Sequence, residues 1–457
     1  MVDQTSSPGA VADLAAPVKA AQRIASIDVL RGVALCGILV MNIPIFAFSS
    51  RAIFRPQAAG GFEGLDYVTW LGSHLLFDMK MMSIFSMLFG AGIVLFATKA
   101  LEKRGRAAGL HYFRMLWLFV FGMMHAWIIW EGDILVMYAL VGMIVFPLWR
   151  LRAKWLLIIA MVLLPVGMAI NLANGKFFSF ARGEYEKSVA AAALGEETDV
   201  KPWAVEAWAG RLDEATGERE GGIVEMFEIS PELVEREVNA MRGSIAQRIA
   251  FRGPDILWMQ TSGILMWGLW RVGGCFVLGM ALYKWGVFSA TRSTKFYALM
   301  TALGFAIGWP IIGTGVASNT QHEFDIVHLF IAGWNYNYVG SMFVAFGWVG
   351  LVMLMCKHNV LRPLQIGLSA IGRMAFTNYI MQSLICGFIF FGLSGLGLGL
   401  FGKLSRAETM PIVFGIWVFQ IGASVWWLKR FRFGPLEWAW RSLTYWKAQP
   451  MARSSAG

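Results

Sequence analysis

Ten stretches of about twenty consecutive apolar residues leave this chain few folds to choose from. They fall at 27–48, 78–98, 113–130, 133–149, 154–172, 257–283, 296–317, 334–356, 371–392 and 410–428. A bilayer core offers no water to backbone N–H and C=O groups, so runs of this length persist there as helices that satisfy those groups internally. The expected fold is all-α and polytopic, with about ten transmembrane helices. Composition agrees: 57% of residues are hydrophobic and 15% charged, a balance foreign to soluble domains. The 21 tryptophans suit anchoring at two membrane interfaces.

Orientation follows from where Lys and Arg collect. Lys99, Lys103, Arg104 and Arg106 crowd the second connection, Arg150, Arg152 and Lys154 the fourth, Lys284, Arg292 and Lys295 the sixth, and Lys357 and Arg362 the eighth. With ten spans these share a side with Lys19, Arg23 and the C-terminal Lys429, Arg430, Arg432, Arg441 and Lys447, so both termini are expected in the cytoplasm. The net charge of +10 reads as cytoplasmic loops meeting anionic headgroups, and no nucleic acid partner is expected. Residues 173–256 form the only sizeable hydrophilic region, acidic overall and helix-compatible in pieces. They suggest a small helical extracytoplasmic insert between helices 1–5 (27–172) and helices 6–10 with an interfacial segment (257–446). Residues 1–26 and 447–457 read as disordered cytoplasmic ends. Cys36, Cys275, Cys356 and Cys386 all sit in apolar runs without a CxxC, and the loop with His322 and His328 lacks tight ligand spacing, so no metal is expected.

The stretch YFRMLWLFVFGMMHAWIIWEGDILVMYAL, residues 112–140, carries Arg114, His125, Glu131 and Asp133 inside or beside hydrocarbon. An ionisable side chain there marks a functional site by default. On one helix Arg114 and His125 lie about 20° apart in azimuth and roughly 16 Å apart along the axis. That sets a guanidinium suited to phosphate at the inner surface and an imidazole able to take and return a proton near mid-membrane. Glu131 and Asp133 follow at the outer mouth as orienting or acceptor-contacting groups, or as a solvated turn. In the first span Asp28 and Arg31 are spaced to pair, and Arg31 stands at the cytoplasmic entrance. Lys80 either snorkels to the outer interface or lines a passage. Arg271 lies well within a span and calls for a partner anion. Arg373, Asn378 and Gln382 begin the ninth span, where bonding between helices is the default for the two amides.

Five ordered segments, IDVLRGVALCGILVMNI, SIFSMLFGAG, GMMH…WEGDIL…YAL, IGRMAFTNYIMQS and GPLEWAWRSLTY, together resemble the YeiB family of bacterial membrane proteins. These proteins end in a domain of unknown function, number 418. That family in turn resembles, more distantly, a superfamily of transmembrane acyltransferases, including acyltransferase-3 sugar O-acetylases and heparan glucosaminide N-acetyltransferase. Acyltransferase-3 members carry an Arg or Lys, ten residues, then a His implicated in using acetyl-CoA; Arg114 and His125 match that spacing. The resemblance implies an inner-membrane enzyme that takes an acyl group from cytoplasmic acetyl-CoA or another acyl-CoA. Arg31 and Arg114 would hold the phosphates, His125 would act as base or acyl carrier, and Asn378 or Arg271 would steady the oxyanion. The acceptor would be a small molecule, lipid or glycan. Membrane lipids surround such a protein, and a homodimer is left open. The alternative is a transporter or lipid flippase without bond-making chemistry; a third is an assembly factor.

Overall fold

The computed structural model describes residues 25–105, 107–212, 219–227 and 230–453. The expectations for residues 1–24 and 454–457 lie outside the described residues. The chain is an all-α polytopic membrane protein. Among the described residues, eight helical runs are long and apolar enough to cross a membrane: 25–47, 64–102, 108–129, 153–194, 264–284, 294–321, 326–357 and 406–430. Two shorter apolar helices, at 135–150 and 375–390, coincide with the fourth and ninth apolar stretches.

In chain order the helices are α1 (Ala25–Ala47), α2 (Gly64–Leu76), α3 (Lys80–Arg104), α4 (Ala108–Met124), α5 (Leu135–Val145) and α6 (Ala153–Leu194). The insert adds α7 (Pro202–Ala209), α8 (Ile223–Phe227), α9 (Pro231–Arg242) and α10 (Ile245–Gln260), with a two-residue ribbon pairing Arg211–Leu212 with Arg219–Glu220. Then come α11 (Leu269–Lys284), α12 (Thr294–Gln321), α13 (Ile326–His328), α14 (Trp334–Lys357), α15 (Arg362–Arg373), α16 (Ala375–Phe390), α17 (Arg406–Arg430) and α18 (Pro435–Tyr445). At 42 residues α6 is about 60 Å long, twice the hydrocarbon thickness, so it runs through the 172/173 boundary without a break.

Lipid supplies no hydrophobic drive between helices, so close packing must hold them together. Glycine provides it along two seams. A Cβ on Gly32 or Gly372 would stand 2.0 Å from the Leu368 carbonyl oxygen or 1.9 Å from that of Asp28, which fixes α1 against α15. Gly90 and Gly279 bring α3 and α11 equally close, 2.0 and 1.9 Å from the Phe276 and Met87 carbonyl oxygens. The main core gathers apolar side chains of α1, α3, α5, α11 and α14. A second core, with Phe46, Trp130, Met241, Phe390, Phe391 and Phe401, lies where the bundle meets the insert.

At the opposite end α18 lies against α4, and Trp440 Nε1 donates to the Arg114 carbonyl at 2.8 Å. The chain then turns back: Arg432 N donates to the Met451 carbonyl (2.9 Å) and Arg453 N to that of Arg430 (3.1 Å). Expected to be disordered from 447, the tail is tied down as far as Arg453, because the strand-like stretch after α17 offers unpaired backbone groups.

Candidate functional site

α4 is unbroken from Ala108 to Met124, and His125 opens a π-helical turn, His125–Ile129, that continues the rod. A widened turn of this kind is often found at functional sites. It ends where Trp130 N reaches back to the His125 carbonyl (2.8 Å), and the backbone goes extended at Trp130. The next residues fold back because Gly122 lets α5 approach: a Cβ there would meet Val136 N at 2.6 Å. Asp133 thereby reaches two donors. Its Oδ2 accepts from Val136 N (2.8 Å), capping α5, and its Oδ1 lies 2.8 Å from His125 Nδ1. On the far side of the imidazole, Nε2 is 2.9 Å from Ser383 Oγ of α16.

This is a carboxylate–imidazole–hydroxyl relay. A carboxylate at Asp133 would only accept, which sets the proton on Nδ1 and leaves Nε2 as acceptor for the Ser383 hydroxyl, itself also 3.4 Å from the Tyr379 carbonyl. The same division of roles lets an imidazole activate a serine elsewhere. The His125 and Ser383 residues are each 1% exposed, and the Asp133 side chain 2%. Tyr379 packs 5.1 Å from the imidazole, ring to ring, and donates to the Gly132 carbonyl (3.3 Å). Trp130 stands 6.3 Å away, stacked on Phe46, and its buried Nε1 has no hydrogen-bond partner among the described residues. Ser383 closes the IGRMAFTNYIMQS segment, yet nothing local marks it, because its partner lies 258 residues away in sequence.

Arg114 sits at the other end of the rod between two aromatic faces, 4.9 Å from Phe96 and 4.3 Å from Trp440. Arg441, Tyr445 and Arg31 lie within its electrostatic reach. Arg31 bonds Asp28 (3.2 Å) and the Gly372 carbonyl (3.4 Å), next to Arg373 at the end of α15. The structure thus gathers Arg31, Arg114, Arg373 and Arg441 at one rim. Between rim and relay runs a seam of rings: Trp440 to Phe376 at 5.8 Å, then Phe376 to Phe121 at 5.4 Å. Below the seam, Glu437 of α18 caps α16, accepting from Phe376 N (2.7 Å) and Thr377 Oγ1 (2.6 Å). Burial pushes this carboxyl above its ordinary value despite those bonds.

Other candidate residues go elsewhere. Glu131 does not reach the imidazole; its carboxylate pairs with Arg252 of the insert at 3.2 Å. Lys80 does not snorkel: it is fully buried and donates to the His74 carbonyl and to Asn337 Oδ1 (2.7 Å). Arg271 meets no carboxylate among the described residues. It donates to the Tyr338 carbonyl (2.7 Å), Ser83 Oγ (2.9 Å) and Ser341 Oγ (2.6 Å), over the Tyr338 ring. Asn378 donates to the Ile371 carbonyl (3.3 Å) and Ser424 Oγ (3.0 Å), and Gln382 to Gln420 Oε1 (3.0 Å). Neither Asn378 nor Arg271 is bonded to the relay, so the oxyanion role expected for them has no geometric basis. His111, which sequence reasoning passed over, is a buried packing residue stacked on Phe146 at 4.1 Å. Among the described residues no group of His, Cys, Asp and Glu is placed to hold a metal ion.

Comparison with known proteins agrees with the segment pattern. The family described as "Protein of unknown function (DUF418)" matches residues 282–447. The chain is 28% identical to the uncharacterized protein YeiB of Escherichia coli (strain K12), over 94% of this chain and 98% of that one. It is 29% identical to the uncharacterized protein YxaH of Bacillus subtilis (strain 168), over 96% and 98%. An uncharacterized 39.9 kDa protein of Bacillus acidopullulyticus is 23% identical over 94% and 96%. No solved structure matches. With its C-terminal part matched by DUF418 and nearly its whole length aligned to YeiB and YxaH, the chain is similar to YeiB-type multi-pass membrane proteins.

Proposed function

We propose that this protein is a transmembrane acyltransferase of the bacterial inner membrane, acting through a buried serine. The observation that carries the reading is the Asp133–His125–Ser383 relay, held on the same helical rod as a basic rim. In the proposed orientation the rim of Arg31, Arg114, Arg373 and Arg441 faces the cytosol and receives the phosphates of an acyl-CoA. The extended pantetheine arm is of the order of the roughly 16 Å rise from Arg114 to His125. It would follow the Trp440–Phe376–Phe121 seam by displacing those rings.

Ser383 Oγ attacks the thioester carbonyl while its proton passes to His125 Nε2. The new C–O bond replaces the C–S bond, and the leaving thiolate takes the proton back from the imidazolium. An acceptor hydroxyl or amine then attacks the acyl-serine by the same exchange and regenerates Ser383. Asp133 holds the imidazole tautomer throughout. Trp130, 6.3 Å ring to ring from the imidazole, would offer its buried Nε1–H, without a partner among the described residues, to the developing oxyanion.

The test is labelling of purified protein with a fluorophosphonate, together with turnover of acetyl-CoA and longer acyl-CoAs. Wild type should label at Ser383 and hydrolyse acyl-CoA slowly in the absence of acceptor. Ser383→Ala and His125→Ala should abolish both. Labelling that survives Ser383→Ala, or absence of any CoA-dependent rise in melting temperature, overturns the reading. Solute movement in liposomes without an acyl donor would favour a transporter instead.

A further inference from the structure

Two arginines of the insert bind the end of the rod that carries His125. Arg248 of α10 donates through Nη1 to the Ile129 carbonyl and through Nη2 to that of Ile128, both at 2.6 Å. These carbonyls belong to the π-helical turn that starts at His125, and no following helical residue bonds them. Arg252, one turn on, is a hub. It pairs with Glu131 just past that turn (3.2 Å), with Glu237 of α9 (2.5 Å) and with Asp255 (3.4 Å). Glu237 also accepts from Ser49 Oγ and from Ser50 N (3.0 Å) in the connection after α1. Arg252 is 3% exposed and Glu237 1%.

A hub of this composition is an odd choice for a permanent seal. Desolvating such charges costs about as much as their attraction returns, whereas an apolar plug of equal volume would hold harder. Once both sides are hydrated, an ionic latch can part, and the hydrocarbon that α9 itself withdraws from the core is little more than Met241 and Val238. The rest of the contact is mixed: Met241 of α9, 1% exposed, belongs to the second apolar core with Val238 packed against it, and backbone bonds run beside them. Gly392 N donates to the Met241 carbonyl (3.1 Å), and Arg242 grips the Phe401 carbonyl (2.8 Å from Nε). α9 therefore lies on the 391–402 loop, over the second apolar core that contains Trp130, and not on lipid.

We infer that α9 and α10 form a displaceable cover over the insert-side end of the relay, latched by Arg252 between Glu131 and Glu237, through which the acyl acceptor reaches Ser383. Arg248 is a positioning residue: it holds the turn that sets His125, so opening the cover also loosens the base. This rests on the reading of Ser383 as the acylated residue, but access to that position can be measured without any chemistry.

The experiment uses full-length protein in oriented vesicles, with Cys36, Cys275, Cys356 and Cys386 replaced by Ala and Ser383→Cys as the only thiol. A membrane-impermeant methanethiosulfonate is added to one side at a time. With the latch intact, modification should be slow. In Arg252→Gln it should quicken roughly a hundredfold or more, from the insert side alone, since leaving buried carboxylates without their cation weakens the closed state by that order. Arg252→Lys should restore most of the protection. Equal rates with and without the Arg252→Gln substitution, or acceleration from the basic side, overturn the cover. Should Arg252→Gln fail to fold, Glu131→Gln carries the same comparison. Amide hydrogen exchange on unmodified protein must also show α9 and α10 opening more readily than α4; equal protection refutes the proposal. Failure of acyl transfer with latch-dependent access would sink only the enzymatic reading, and the converse result only the cover.

Discussion

Replacing Asp133 by Asn keeps size and shape and removes the charge together with the ability to accept at both oxygens. In the native arrangement Oδ1 takes the His125 Nδ1 proton and Oδ2 takes that of Val136 N, each at 2.8 Å. An amide offers one acceptor and one donor, and the backbone N–H of Val136 cannot turn away. The oxygen therefore stays on Val136, and the NH2 faces the imidazole. Nδ1 must then accept, the proton moves to Nε2, and Nε2–H confronts Ser383 as a donor 2.9 Å away. The serine loses its base without losing its neighbour. A wrong tautomer in a relay of this kind costs about 10⁴ in rate, which is roughly 5.5 kcal/mol of activation free energy. The folded state should feel much less, about 1.5–3 kcal/mol for one charge-assisted bond exchanged for a neutral one. The assay is the second-order rate of fluorophosphonate labelling at Ser383, with unfolding followed in the same detergent. Loss of labelling with a modest stability change is expected. Labelling within about tenfold of wild type would show that Asp133 only caps α5, and the tautomer argument would fall.

Three further outcomes follow from particular contacts. Arg114→Ala should raise the concentration of acyl-CoA needed for half-maximal thermal stabilisation by about ten- to a hundredfold, with Arg114→Lys intermediate because an ammonium lacks the planar fork. Gly372→Ala should cost more than about 3 kcal/mol or prevent folding, because its methyl would meet the Asp28 carbonyl at 1.9 Å and force α1 off α15; detergent-solubilised yield and urea unfolding read this directly. Asp325, outside the spans, is held below its ordinary value: burial opposes this, but Arg182 at 2.5 Å and the His328 N–H outweigh it. Its folded-state value being depressed, the contribution is present above the usual Asp range and is lost as pH falls below about 4. Asp325→Asn should therefore destabilise at neutral pH by under about 1 kcal/mol after solvent screening, and the difference should vanish near pH 3.

Much of the architecture is written in the chain because membrane physics has so few solutions. Twenty apolar residues with nowhere to place a bare amide become a helix, and even the short α5 and α16 show as apolar stretches of their own. The rod joining Arg114 to His125 is legible for the same reason, since helical periodicity fixes both azimuth and rise. Pairing across long sequence distance is not. Ser383 reaches His125 across 258 residues, and Lys80 reaches Asn337 across 257, through helix contacts that no local spacing encodes. Glu131 and Asp133 are two residues apart and chemically alike, yet one turns to the insert's Arg252 and the other to His125. Only the fold-back permitted by Gly122 separates them. Arg271, a buried cation, invites the expectation of a carboxylate, and the structure answers with two hydroxyls and a carbonyl, an ensemble that leaves no trace in the sequence around it.

The widened turn at His125–Ile129 also sets the phase of everything after it. It takes up about one more residue than an α-helical turn, so the rod absorbs the loss of any one of Ala126 to Ile129 by closing normally, whereas a further residue added there exceeds what one widened turn takes up and swings Trp130 to Asp133 by about 100° about its axis. After such an insertion Asp133 would face away from the imidazole, and the carbonyls that Arg248 grips would turn away from it. A single-residue insertion in this stretch, invisible to any measure of hydrophobicity, would leave a protein that still inserts and still spans but whose relay and cover are both out of register.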